Sequence, residues 1–478
     1  MMSTDRPWAC LFCILLCVLI FSSPAKSQPS DAPLQAEVNL TLDQARMIGV
    51  QALESGDAVL ALEIGKGLLQ AEPESFFAHM LLAQAYRQTS DTTQARRAAA
   101  AAYRHADTSD EKFAASQLAA RLSVEEGRFT QAQFWLRRSI LHTPGPEFQP
   151  QVEDDFRRVR AMDPLRFRFN FSIAPSSNVN NGSDSAYALI DGVPVIGLLD
   201  GLSQALSGVT ASADLSLSYR LLQSQTSETS ALARAFTSRV WLDSSSFELA
   251  NSGRGPNVSN SDFSFALVEA GLRHAVRLDG PTGPGFLSGE IAAGKTWYGE
   301  DPYQNFTRIG LSHSVLISDV MRLTYGGGLE KRRFDRGNNL PVETASLQAA
   351  LAHSFANDDR LTFGLSWRES ESGSRNANSV SKSAYARYEM AEPVGPARLS
   401  LTLGTQQTTY PDYAVGFIFV PGGRQDETVF GSIGMVFDGV DYAGFAPSLT
   451  LRAQKTRSNV SRFEASEVSV SFGIQSRF

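Results

Sequence analysis

From Leu165 onward the chain repeats every two residues, and that period limits its fold more than any other feature. In "LRFRFNFSI" (Leu165 to Ile173), Leu165, Phe167, Phe169, Phe171 and Ile173 fall on one face, and Arg166, Arg168, Asn170 and Ser172 on the other. Strand side chains alternate between faces, so the segment reads as a strand with one apolar and one polar side. Similar segments recur as far as "ASEVSVSFGIQSRF"; the total is about fourteen, and single-chain bacterial barrels need an even number. After the amino-terminal apolar run, no stretch reaches the roughly eighteen apolar residues of a membrane helix. A closed antiparallel barrel fits both facts, because its strands of about ten alternating residues leave no backbone group unpaired in lipid.

Before Pro164 the period is helical and the sequence repeats itself. "ESGDAVLALEIGKGLLQAEP" (from Glu54), "QTSDTTQARRAAAAAYRHAD" (from Gln88) and "EEGRFTQAQFWLRRSILHTP" (from Glu125) align, with Gly56, Ser90 and Gly127 at the turn and Ala61, Ala95 and Ala132 at a close helix contact. Intervals of about 34 to 37 residues are near the tetratricopeptide period, and three repeats are about the minimum for a continuous core. The general repeat positions place Arg46, Gln84, Arg87, Gln117 and Arg121 on the concave, partner-binding face; on a helix surface such residues are as often merely solvated. The fold expected is thus α plus membrane β, a tetratricopeptide domain followed by a transmembrane β-barrel.

Arg6, the apolar run from Trp8 to Phe21 and the small residues before Gln28 read as a secretory leader, residues 1–27. A repeat arm over 28–150, a linker helix over 151–163 and a barrel over 164–478 complete the expected division. Cys10, Cys13 and Cys17 all lie in the leader, which leaves no disulfide framework and no thiolate metal site. The basic residues form no stripe for nucleic acid, and the net charge is −7.

Links after odd-numbered strands are long on average, such as 174–208 and 408–426, whereas links after even-numbered strands are short, such as "ISD" (Ile317 to Asp319). Outer-membrane barrels place short turns in the periplasm and long loops outside. The arm precedes strand one, so it shares the periplasmic side with the short turns. Trp241, Trp297, Tyr298 and Trp367 fall near the outer ends of their strands, where interfacial aromatic rings belong.

Catalytic signatures are missing from the sequence: the six histidines show no metal-ligand spacing, and there is no nucleophile elbow and no phosphate loop. A non-enzyme without metal or cofactor is expected. If the phenylalanines of strand one face lipid, Arg166 and Arg168 face the lumen, and Arg387 with Glu389 are similar candidates.

Leader, repeat arm and barrel together resemble the surface lipoprotein assembly modulators (Slam). The resemblance is sharpest in "APSSNVNNGS" (Ala174 to Ser183), with Pro175, Asn178 and Asn180, and in 444–478, with Pro447, Ser458, Asn459 and Phe478. It implies a Gram-negative outer-membrane protein that helps lipoproteins reach the cell surface, its arm engaging the client lipoprotein or a periplasmic chaperone. It also implies contact with outer-membrane lipid and, through the terminal Phe478, with the barrel assembly machinery. An exopolysaccharide exporter and a general porin with an accessory arm are the alternatives. The insertion "YALIDGVPVIGLLDGLSQALSG" (Tyr187 to Gly208) departs from that pattern; a helix, a lumen plug and a client contact are all compatible with it.

Overall fold

In the computed structural model, which describes residues 39–253, 257–280, 283–335, 340–437, 439–440 and 445–476, helix gives way to strand at Pro164. The expected leader with its three cysteines, and Phe478, lie outside the described residues.

Six helices form three antiparallel pairs: α1 (Leu42–Glu54) with α2 (Ala58–Ala71), α3 (Phe76–Gln88) with α4 (Thr92–Arg104), and α5 (Ser109–Glu125) with α6 (Phe129–Ile140); α7 (Gln149–Met162) follows. Side-chain oxygens of Thr41, Asp57, Ser75, Asp91 and Thr108 accept the free N–H groups that open α1 to α5. Within each pair the turn sits where the alignment puts it. Gly56, Ser90 and Gly127 have φ of +82°, +63° and +71°, the left-handed conformation that lets a second helix fold back. Ala61, Ala95 and Ala132 are fully buried, since a larger side chain would force the paired helices apart. The main core runs from Ala95 and Ala99 through Leu122, Trp135 and Leu136 to Val152 and Phe156, which joins α7 to the repeats.

Fourteen strands then close into one antiparallel barrel. They are β1 (Leu165–Ser176), β2 (Gly208–Gln223), β3 (Ser227–Leu242), β4 (Phe265–Gly280), β5 (Gly283–Tyr298), β6 (Asp301–Ser318), β7 (Met321–Phe334), β8 (Val342–Ser354), β9 (Arg360–Ser372), β10 (Ser379–Glu389), β11 (Arg398–Tyr410), β12 (Arg424–Val436), β13 (Phe445–Ser458) and β14 (Ala465–Ser476). The closing seam pairs Phe171 with Ile474, Ser172 with Gly473, Ile173 with Phe472 and Ser176 with Ser469; Pro175 lies in the gap, and it has no N–H to give a ladder. Residues directly opposite in the register share a face, and the outer face is apolar all the way round, from Phe169 and Leu215 through Ile309, Leu347 and Leu403 to Phe472.

The connections show the expected asymmetry with exceptions. The links 177–207, 243–264 and 411–423 are long, and 224–226 and 319–320 are short, but β5 and β6 meet at the loop end through Gly299 and Glu300 alone. Both have positive φ, +59° and +69°, which is the geometry of a tight hairpin turn. The link between β9 and β10 spans only 373–378, because their backbone ladder continues past the point where apolar alternation stops. Trp241 and Trp297 stand near the loop end on the outer face, whereas Trp367 lies further in, opposite Leu347 and Lys382.

Arm and barrel are joined by contacts at the end opposite the long loops. Asp163 accepts hydrogen bonds from Thr130 (2.8 Å), Gln133 (2.6 Å) and the Leu165 N–H (2.9 Å). Arg220 on β2 donates to the Met162 carbonyl at 2.9 Å, which satisfies the end of α7.

Candidate functional site: a charged lumen wall and a stapled loop cap

Because faces alternate, the register fixes which charges enter the lumen. Arg234 on β3 is directly opposite Glu269 on β4, Arg273 on β4 opposite Glu290 on β5, and Arg308 on β6 opposite Glu330 on β7. Asp214 on β2 accepts two bonds from Arg234, at 3.0 and 2.7 Å. Arg308 donates to Glu269 at 2.7 Å and to Glu290 at 3.1 Å, and Glu290 also pairs with Arg273 at 3.1 Å. Six strands thus carry an alternating acid and base ladder across one wall.

The opposite wall mixes hydroxyl and amide pairs with further charge, since Arg368, Arg387, Glu389, Arg452 and Glu467 share its lumen rows. Ser366 meets Ser383 at 2.7 Å, Thr408 meets Ser381 at 3.1 Å and Thr428 meets Thr456 at 2.8 Å. A charged solute passing through would meet fixed charge of both signs, knit into a continuous ladder on one side and interspersed with hydroxyl and amide groups on the other.

Arg166 and Arg168 lie on the lumen face of β1, as their alternation with the exposed Phe167 and Phe169 requires. Arg166 is 3.8 Å from Glu228. Arg387 and Glu389 pair with each other at 3.0 Å. The main ladder was missed from sequence because its partners are 17 to 39 positions apart. Its one sequence signal is acids and bases at lumen positions of neighbouring strands, and reading it needs the register.

At the loop end, the residues singled out by motif are staples. Asn178 is buried; its side chain exchanges bonds with Gly182 (2.9 and 2.8 Å) and donates to Ser466 at 3.3 Å. Asn180 donates to the Leu202 and Gln204 carbonyls and accepts the Leu206 N–H at 2.9 Å. Asn459 donates to Gly423 at 2.9 Å and accepts from Gln425 at 2.8 Å, while Ser458 Oγ accepts the Val460 N–H. Pro175 is in β1 and Pro447 in β13.

The apolar insertion is a hairpin, Tyr187–Ile190 with Val193–Leu198, followed by a helical turn at Gly201–Ser203. Its Ile190 packs with Val420 and Val460 in a small core beneath the 411–423 and 459–464 links. Arg424, ion-paired with Asp426, lies over the rings of Phe463 (3.3 Å) and Tyr410 (4.0 Å) and locks the same corner. Ser207, Ser246 and Ser245 donate to Asp243 and hold its carboxyl well below the usual carboxylate range, which ties the insertion to the 243–264 link.

On the arm, Arg46 pairs with Glu72 at 2.7 Å within the first helical pair, and Arg87 with Glu125 at 3.1 Å between the second and third. Gln117 turns towards α6 and donates to Ser139 at 3.0 Å. Gln84 and Arg121 are exposed. No group of three His, Cys, Asp or Glu able to hold a metal occurs among the described residues.

A 14-strand barrel with a stapled closing hairpin can be compared with known families. Residues 292–475 match the surface lipoprotein assembly modifier family. The match runs from the second half of β5 to β14 and includes the closing hairpin, one of the two stretches on which the resemblance was read. That resemblance to the assembly modifiers is therefore borne out. An assembly-modifier match on a closed β-barrel indicates an outer-membrane protein with a role in lipoprotein assembly, a transport class rather than a known enzyme class.

Among solved structures, OccAB3 of Acinetobacter baumannii is 9% identical, with 64% of this chain and 98% of that one covered at a TM-score of 0.35. A BenF-like porin from Pseudomonas fluorescens Pf-5 is 11% identical, with 65% and 98% covered at 0.35. The Yersinia enterocolitica type III secretion translocator chaperone SycD is 13% identical, with 26% and 88% covered at 0.23. At such TM-scores these likenesses decide nothing about function. No curated protein matches the chain.

Proposed function

We propose that this protein delivers lipoproteins across the outer membrane to the cell surface. The reading rests on the assembly-modifier match over 292–475, carried by a closed barrel with a helical arm attached at its short-turn end. In this reading residues 1–27 are a cleaved leader, 28–150 a periplasmic arm with its linker helix over 151–163, and 164–478 the barrel. The arm meets the client or a chaperone through the exposed Gln84 and Arg121, and the long loops face outward. Barrel assembly machinery acts on it during biogenesis. Specificity comes from protein contacts rather than from bond-making chemistry, so neither metal nor cofactor takes part.

The test is impermeant labelling of intact cells with and without the gene, each lipoprotein being quantified inside and out. Loss of surface exposure at constant total amount for at least one lipoprotein is expected. Unchanged exposure for every lipoprotein would overturn the reading and direct attention to polysaccharide secretion and solute uptake.

A further inference from the structure

The described barrel is knit most loosely at its own closing seam. β1 is registered with β2 at every residue from Leu165 to Ser176, and β13 with β14 at every residue from Phe445 to Thr456. Between β1 and β14 the described ladder pairs Phe171, Ser172 and Ile173 with Ile474, Gly473 and Phe472, skips Ala174 and Pro175, and resumes at Ser176 with Ser469. The skip has a chemical cause. The Ser177 N–H donates to the Val468 carbonyl at 3.0 Å, and along an antiparallel strand every second N–H points to the same neighbour. Position 175 therefore aims at β14 as well, and proline has no hydrogen to give.

Beyond the skip, side chains take over from the ladder. Ser176 donates to Glu467 at 2.9 Å, Ser177 Oγ accepts the Val468 N–H at 3.0 Å, and Asp184 accepts the Ser466 N–H at 2.9 Å. Side-chain rotation releases such bonds one at a time, with β1 still held by β2 and β14 by β13.

The lumen side of the seam is small and uncharged. Ser212 on β2, Ser172 on β1, Gly473 on β14 and Ser448 on β13 lie side by side at one level. The acid and base ladder starts nearer the arm, at Asp214. At the arm end, two contacts bracket the seam. Arg220 on β2 donates to the Met162 carbonyl at 2.9 Å, and the Arg137 guanidinium lies 4.6 Å from the ring centroid of Phe445 on β13. In the strand order β1 and β14 lie between β2 and β13, so the arm straddles the joint.

We propose that the seam between β1 and β14 parts sideways to pass the acyl chains of a client lipoprotein into the membrane while its protein part uses the lumen. The inference rests on the lipoprotein-assembly reading and adds the exit of the lipid anchor. In a closed barrel the client's polar part and its acyl chains share one aqueous space, and the chains reach hydrocarbon only by crossing the wall. Crossing costs least where few ladder bonds separate lumen from lipid and where the passing chain meets hydroxyl groups rather than ion pairs. The straddling arm delivers its client at that joint.

The test uses the full-length protein, which has no cysteine after Cys17. Ile173→Cys with Phe472→Cys puts two thiols directly opposite across the seam. Leu323→Cys with Leu351→Cys does the same across β7 and β8, whose ladder runs from Met321 to Arg332 without a skip. Both pairs are oxidised in intact cells, and impermeant labelling follows the lipoprotein whose display depends on the gene, before and after dithiothreitol. The oxidised seam pair should lose display several-fold and regain it on reduction, and the β7–β8 pair should display normally throughout. Hydrogen exchange on the unaltered protein in lipid nanodiscs needs no variant. There the amides of Phe171 to Ile173 and Phe472 to Ile474 should exchange several-fold faster than those of Leu323 and Leu351. Normal display by the oxidised seam pair, an equal loss in the β7–β8 pair, or equal exchange at the two places would overturn the inference. Display unaffected by deleting the gene would instead sink the function beneath it.

Discussion

The guanidinium of Arg137 on α6 lies 4.6 Å from the ring centroid of Phe445 at the start of β13, with the ring of Phe156 on α7 4.8 Å away. A cation held near two aromatic rings contributes on the order of 1 to 2 kcal/mol when partly desolvated. Arg137→Ala should therefore loosen the arm on the barrel without unfolding either. Limited proteolysis near Asp163 and Pro164 should speed up several-fold, and an unchanged cleavage rate would show that the clasp adds nothing to the backbone junction.

Arg308 holds two acids of the lumen wall. Its removal leaves Glu269, which is almost fully buried, without its 2.7 Å partner. Because Arg308 itself is partly wet, we expect Arg308→Ala to cost about 1 to 2 kcal/mol, less than a fully buried pair would. The lumen should also become more cation-selective. Urea unfolding of the refolded protein and reversal potentials in planar bilayers measure the two effects.

Asn178 ties Gly182 to Ser466 on β14, and Asn459 ties the 459–464 link to the backbone of Gly423 and Gln425. Truncation to Ala orphans those groups, at about 1 to 3 kcal/mol per buried site. Hydrogen exchange should rise in 177–207 for Asn178→Ala, and at Gln425 and in 411–423 for Asn459→Ala, with the remaining barrel amides unchanged. Global exchange would mean that these side chains act on barrel closure instead.

His79 stacks on His105 at 5.2 Å, and burial first, then the neighbouring imidazole, lowers its pKa from near 6.5. The folded arm thus favours neutral His79. This contribution is complete above about pH 6.5 and is lost as pH falls through the lowered folded value, because the unfolded chain then binds the extra proton. The helical melting transition in detergent should drop between pH 7.5 and pH 5, and His79→Phe should flatten part of that drop. An equal drop in the variant would assign the effect elsewhere, first to His142, whose pKa is lowered in the same way.

At the repeat turns Ser90 occupies a left-handed conformation that Gly56 and Gly127 adopt freely. A non-glycine residue there costs roughly 1 kcal/mol. Ser90→Gly should raise the helical transition and Gly127→Ala should lower it by a similar amount; shifts of the same sign would refute a backbone origin.

The turn positions, the buried alanines, the number of strands and the lipid-facing rows of the barrel were all legible in the chain. Each depends on residues within one or two turns of each other or on a strict alternation, and local backbone geometry converts such spacing into shape directly. Arg46, Arg87 and Gln117 were chosen on the same basis as a partner surface, yet each has an internal partner in the adjoining helices. A helix position shows which face a side chain is on, but not what the next repeat brings opposite it. The acid and base ladder and the hairpin made by the insertion arise from register and closure. Those features join residues up to hundreds of positions apart, as in the bond from Ser183 to the Ser461 carbonyl at 2.6 Å, and no local pattern carries the free energy that selects such pairings. Periodicity thus named the elements and their faces, while closure of the sheet chose which charges, staples and apolar rows would meet.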